Sequence, residues 1–263
     1  MAKKIIICAD GTWNRPEQNI NPLLDEVDHP TNILKIARGI NCDNNQQVFY
    51  DFGVGSYGTI FSKGFNGMTG NGLDKNIKDC YRYIVQNYSN DDDIYLFGFS
   101  RGAYTVRALC GLINNCGILK SQNANKIEEA FSLYKNEDNK PSDDESENFR
   151  QTFSHASKRI KFVGVFDTVG AMGIPISFLG LFDDDVELYD RKIGKNIDTA
   201  RQALAIDEER GDFKPTIWDK KDDIDIQQVW FSGCHSDVGG FYGPTEGYGV
   251  LSDIPLHWMV KEA

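Results

Sequence analysis

The stretch Phe97–Ile113, FGFSRGAYTVRALCGLI, constrains the fold of this chain more than any other. Just before it, Asp93-Ile94-Tyr95-Leu96 leads into Phe97 as a short apolar and aromatic run behind Asp91 and Asp92. Such a run reads as a strand buried on both faces, the kind found in parallel sheets. After it, Ala103, Val106, Cys110 and Ile113 recur at spacings of three and four, which is the stripe of an amphipathic helix. Gly98 and Gly102 bracket Ser100 where strand must turn sharply into helix. G-x-S-x-G at a strand-to-helix turn is the setting of a nucleophile elbow. The serine there takes a strained backbone conformation, and small flanking residues let strand and helix approach closely. Its hydroxyl stands at a helix N-terminus, where main-chain N–H groups favour developing negative charge. The bland alternative is a polar residue in a tight turn, so the serine needs partners.

The rest of the chain repeats the alternation. Strands are expected at Lys4–Ala9, Gln47–Phe52, Asp93–Phe97, Lys161–Phe166 and Gln227–Phe231. Helices are expected at Thr31–Gly39, Leu73–Tyr88, Arg101–Asn114, Lys126–Lys135, Asp198–Ile206 and Ser252–Lys261. This order predicts an α/β fold: a mostly parallel sheet of at least five strands with helices on both faces. Functional residues then belong at the carboxyl ends of the strands. The 263 residues suit one domain, 1–263, with lid or insert segments at 56–72, 117–155 and 174–197. The first carries glycines at 58, 64, 67, 70 and 72. Within the second, Asn136–Asn148 is acidic and polar and reads as a solvated loop. The third opens on the apolar run Ile174–Phe182, expected to act as a lid or acyl-chain contact.

Charge and cysteines limit the function. A net charge of −11 argues against a nucleic-acid partner and against steering to anionic lipid. No run approaches the length of a membrane span. MAKKIIICADGTW meets Asp10 after a short apolar run, so it reads as a first core strand and not as a signal peptide. The scattered cysteines at 8, 42, 80, 110, 116 and 234 read as small hydrophobes of a reducing compartment. Neither a disulfide frame nor a metal site is expected. The expected location is cytoplasmic, or outside the cell by a specialised secretion route.

A serine nucleophile needs a base, and the base needs an orienting acid. Of the four histidines, His29 precedes Pro30 well before the elbow, and His257 sits in an expected helix. His155 precedes a strand with no acid between it and the sheet. His235, in VWFSGCHSDVGG, directly follows a strand and is flanked by glycines, so it is the candidate base. Asp167 ends the strand Lys161–Phe166 and is the candidate acid. Asp237 is a rival by proximity, and Asp207 reads as a structural ion-pair residue. The oxyanion donors are expected to be the N–H of Arg101 and that of Gly11 or Thr12, in the Asp10-Gly11 turn.

The chain resembles a bacterial α/β-hydrolase family long described as a domain of unknown function. Its best-known members are type VI secretion phospholipase effectors. The resemblance is carried by ADGTWN (9–14), YDFGVGS (50–56), GNGLDKNI (70–77), LFGFSRGAYTVRAL (96–109), FDTVGAMG (166–173), ALAIDEER (203–210) and WFSGCHSDVGGFY (230–242). It implies a Ser-His-Asp hydrolase and maps the triad onto Ser100, His235 and Asp167. One departure is Gln202, where the family often carries histidine. The resemblance also implies a lipid or phospholipid ester substrate, peripheral membrane contact, and a secretion-system or immunity protein as partner.

The reading is therefore a serine esterase acting through an acyl-enzyme, with no cofactor. An inactive hydrolase-fold protein that binds a partner is the alternative. An aspartyl-phosphate phosphatase would need a carboxylate two residues before Asp10, where Cys8 stands. A phosphate-binding loop fails because no G-K-[ST] follows the glycines of 64–72.

Overall fold

Period-two alternation decides which side of the sheet each strand residue feeds. In a computed structural model of the chain, describing residues 2–11, 29–53, 70–136, 138–169, 193–243 and 250–263, Lys4–Ala9 forms β1. Its Ile5, Ile7 and Ala9 enter one hydrophobic core, and its Ile6 and Cys8 enter another. Strand β3 (Asp93–Phe99) repeats the pattern, with Ile94 and Leu96 on the first side and Tyr95, Phe97 and Phe99 on the second. With β2 (Gln46–Asp51), β4 (Ile160–Phe166), β5 (Ile197–Ala205) and β6 (Asp225–Phe231), they form a six-stranded parallel sheet, ordered β2-β1-β3-β4-β5-β6.

Helices cover both faces. The first core takes in α2 (Gly70–Asn87), α3 (Arg101–Cys116), α4 (Ile127–Lys135) and α5 (Asp144–Phe153), through Ile77, Leu109, Ile127 and Phe149 among others. The second takes in α1 (Asn32–Gly39), the short α6 (His235–Gly239) and α7 (Asp253–Glu262), through Ile33, Val238 and Met259. From β1 the chain goes first to one neighbour, β2, and then to the other, β3. That reversal opens a crevice at the carboxyl ends of β1 and β3, where open α/β sheets hold their ligands. The fold is α/β, one parallel sheet with helices on both faces.

Two expectations need correction. Asp198–Ile206, expected as a helix, is strand β5. Its alanine, arginine, glutamine and leucine favour helix in isolation. Here β4 and β6 pair with it on both edges, from Ile160↔Ile197 to Ala205↔Phe231, and tertiary pairing overrides local preference. The cost of its buried polar residues is offset by partners. Arg201 meets Glu262 and Asp225, and Gln202 donates Nε2 to Thr216 O at 2.9 Å. The acidic stretch expected as a solvated loop instead turns helical from Asp144. Three acids sit in the first turn of α5, where the helix dipole favours them, and Phe149 reaches the core. The apolar run Ile174–Phe182 and most of segment 56–72 lie outside the described residues.

Candidate active site

The elbow is built by two close approaches. A Cβ on Gly98 would lie 2.6 Å from Ala103 Cα, and one on Gly102 would lie 2.1 Å from the carbonyl oxygen of Ala9. Only glycine lets α3 sit so tightly on the ends of β3 and β1. Between them Ser100 takes φ 56°, ψ −123°, a region that non-glycine residues rarely occupy. Its N–H donates to Phe166 O at 3.2 Å, which ties the elbow to the end of β4. The residue that follows β4 is Asp167.

Asp167 is 1 % exposed and also has positive φ, 37°. Its two carboxylate oxygens have different partners. Oδ1 accepts the Ala205 N–H at 3.0 Å, and Oδ2 lies 2.6 Å from His235 Nδ1. A carboxylate only accepts, so Nδ1 carries the proton and Nε2 is left as the basic nitrogen.

His235 opens α6 and is buried. Its ring lies between two aromatics: Phe99, the residue before Ser100, at 4.6 Å between centroids, and Phe213 edge-on at 4.8 Å. Gly239 leaves room for this, because a Cβ there would fall 1.9 Å from the Phe99 ring. The loop entering α6 is held by carboxylates. Asp207 accepts the Gly233 N–H at 2.7 Å, Asp237 that of Cys234 at 2.9 Å, and Glu208 that of His235 at 3.2 Å. Negative side chains thus satisfy the N–H groups at and just before the start of a short helix, where helices favour them.

The structure thus joins Asp167 to His235 directly, bonds the Ser100 N–H to the residue before Asp167, and packs the residue before Ser100 on the His235 ring. Asp237, the rival acid, bonds Cys234 and closes a capping box with it. Asp207, expected in an ion pair, instead holds main chain. The other histidines are elsewhere: His155 pairs with Asn90 Oδ1 at 2.8 Å on the surface, and His257 is exposed on α7. His29 packs where a Cβ on Gly243 would intrude.

At the end of β1, Gly11 donates its N–H to Asp10 Oδ1 at 2.7 Å, so one of the expected oxyanion donors is engaged by its own neighbour. Asp10 Oδ2 also accepts from Thr31 Oγ1 and the Tyr50 hydroxyl. Burial, then the Asp10 charge, pushes the Tyr50 hydroxyl pKa up. Thr12 lies outside the described residues. Burial lowers the Arg101 guanidinium pKa to about 10. Sequence reasoning missed Glu208, Arg210, Phe213 and Phe99. The signal present for the first two was the ALAIDEER motif, which carried resemblance but no role.

A family model described as T6SS, Phospholipase effector Tle1-like, catalytic domain, matches residues 3–262. An uncharacterized protein of Saccharomyces cerevisiae is 32% identical over 237 residues, covering 81% of this chain and 32% of the yeast protein. Related sequences are therefore not confined to bacteria. Among solved structures, an uncharacterized protein from Pseudomonas aeruginosa aligns with 100% of this chain and 45% of its own, at TM-score 0.52 and 16% identity. The Tle1 effector bound to the VgrG spike of the type VI secretion system aligns with 92% of this chain and 52% of its own, at TM-score 0.48 and 19% identity. The chain spans about a third of the yeast relative and about half of each solved chain.

Proposed function

The chain belongs to the Tle1-like catalytic domain family of type VI secretion phospholipase effectors, and from that premise we propose that it is a serine hydrolase of lipid acyl esters. The observation that carries the reading is the 2.6 Å contact between His235 Nδ1 and a fully buried Asp167, the residue after the Phe166 carbonyl that accepts the N–H of Ser100, itself held at φ 56°. A strained, glycine-bracketed serine next to an oriented imidazole is the constellation of acyl transfer.

In this reading His235 Nε2 takes the proton from Ser100 Oγ as that oxygen attacks the ester carbonyl. The Asp167 carboxylate stabilises the imidazolium without taking its proton. The N–H of Arg101, at the head of α3, holds the oxyanion, and because the Gly11 N–H is engaged by Asp10 the second donor in this reading is the N–H of Thr12. His235 then protonates the leaving alcohol and activates the water that releases the acyl group. Secretion-system delivery and membrane contact are parts of the proposal that rest on the family description alone.

The test is labelling by a fluorophosphonate probe together with turnover of phospholipids and short-chain esters. Wild type is expected to label and to prefer the phospholipid, and Ser100→Ala to do neither while staying folded. A wild-type protein that takes no label and cleaves no ester refutes the reading.

A further inference from the structure

The motif ALAIDEER continues past β5 as a structure over the imidazole. Ile206 N–H bonds Phe231 O at 3.1 Å and Asp207 N–H bonds Gly233 O at 3.1 Å, so the chain after β5 runs on beside the loop leading to His235. Glu208 comes next, with its side chain only 4% exposed. One oxygen, Oε2, accepts the His235 N–H at 3.2 Å and an Arg210 N–H at 2.7 Å. The other, Oε1, accepts the Arg210 Nε–H at 2.8 Å and the Arg210 main-chain N–H at 2.9 Å. Arg210 held in this way stands over the Phe213 ring, its guanidinium carbon 3.7 Å from the ring centroid. Phe213 in turn presses its edge on the His235 imidazole. One carboxylate therefore grips the histidine twice, once by main chain and once by ring.

We propose that Glu208 is the positioning residue of His235, fixing its main chain directly and its imidazole through the Arg210–Phe213 stack. The inference rests on the catalytic reading of Ser100, Asp167 and His235. Asp167 fixes one ring nitrogen, but a single hydrogen bond leaves the ring free to rock about it. The Phe99 and Phe213 contacts remove that freedom, and Phe213 stays in place because Arg210 is pinned by Glu208. A bidentate guanidinium–carboxylate pair is among the more rigid of side-chain contacts. The Arg210 hydrogen bond, more than any other cause, holds the Glu208 carboxyl down to about 2, so the grip is charged at assay pH.

The variants are Glu208→Ala, Glu208→Gln and Phe213→Ala, each checked for fold by circular dichroism. Displacing a catalytic group by about an ångström costs on the order of 100-fold. Glu208→Ala is therefore expected to lower kcat on a short-chain ester by about 10- to 100-fold at unchanged KM. Phe213→Ala is expected to behave alike. Gln can still accept the His235 N–H but turns its NH2 toward the Arg210 donors, so Glu208→Gln is expected to lose the grip on Arg210 and to lower kcat nearly as far as Glu208→Ala. The second readout is the strongly deshielded proton NMR signal of Nδ1–H shared with Asp167, assigned by its disappearance in Asp167→Asn. It is expected in wild type and to broaden or vanish in Glu208→Ala. Folded Glu208→Ala and Phe213→Ala proteins that keep both the resonance and full kcat overturn the proposal, as does a wild type without the resonance. If wild type cleaves no ester but the resonance responds as stated, the hydrolase reading fails and the positioning stands.

Discussion

Replacing Asp167 by asparagine tests the site at its most constrained point. The substitution conserves volume in a position that is 1 % exposed, so the fold should hold. The two carboxylate oxygens have different partners, and that fixes how the new amide must lie. Ala205 donates an N–H to Oδ1, so the amide oxygen has to stay there. The NH2 group then faces His235 Nδ1, 2.6 Å from the old Oδ2. Two donors cannot share that space, so Nδ1 must become an acceptor and the ring proton moves to Nε2. The nitrogen that should take the Ser100 proton is then already protonated. Loss of the correct tautomer in serine triads costs on the order of 10⁴ in kcat, or about 5 kcal/mol at the transition state. Asp237→Asn leaves an amide oxygen able to accept the Cys234 N–H, so the expected loss is about tenfold or less. The assay is ester turnover with probe labelling, on both variants, after circular dichroism. Folded Asp167→Asn within about tenfold of wild type, or folded Asp237→Asn that is inactive while Asp167→Asn is not, refutes the assignment of the acid.

Other expectations follow from packing and charge. Gly102→Ala puts a methyl 2.1 Å from the Ala9 carbonyl oxygen, backbone that cannot yield without parting α3 from β1, and should lower stability by about 1–3 kcal/mol or more in a denaturant titration. Burial, and next the charge of Asp79, raises the Asp51 carboxyl to about 7. The unfolded chain ionises near 4 while the fold still holds the proton, so stability falls as pH rises from there to about 7. Asp51→Asn removes that penalty and should raise Tm at pH 8, by up to about 4 kcal/mol of stability, with little change at pH 3.5. Glu208 has the opposite sign: its folded pKa is depressed to about 2, so its contribution is complete above about 4.5 and is lost as pH falls towards 2. Glu208→Gln should therefore destabilise at pH 7, with the deficit closing in acid. Cys42 is exposed, whereas Cys8, Cys80, Cys110 and Cys116 are buried, and burial raises the pKa of the Cys8, Cys80 and Cys116 thiols. A thiol reagent should modify Cys42 rapidly in the native protein and those four only after unfolding.

The elbow was legible because it is local. A buried strand, a tight glycine turn and an amphipathic helix occupy adjacent residues, so period and spacing suffice to place Ser100. His235 and Asp167 were legible for a related reason: each follows directly on an apolar strand, and parallel strands deliver such residues to one edge. What local signals could not reveal was β5. Its alanine-rich sequence looks helical, and only pairing with β4 and β6 on both sides makes it a strand. That helical signal also masks the role of the chain beyond it. As a helix, 198–206 would make Asp207 an ion-pair candidate and give Glu208 no role. As a strand, the segment ends beside the loop of His235 and places both carboxylates on its main chain. The same dependence on neighbours explains why Asp237 could not be dismissed earlier, since its hydrogen bond to Cys234 exists only once residues 235–239 close into a helix. The sequence determined which residues carry reactive groups and at which strand ends they stand. The tertiary structure decided which carboxylate meets the imidazole, because that depends on strand order and on φ at Asp167, quantities set by contacts between segments far apart in the chain.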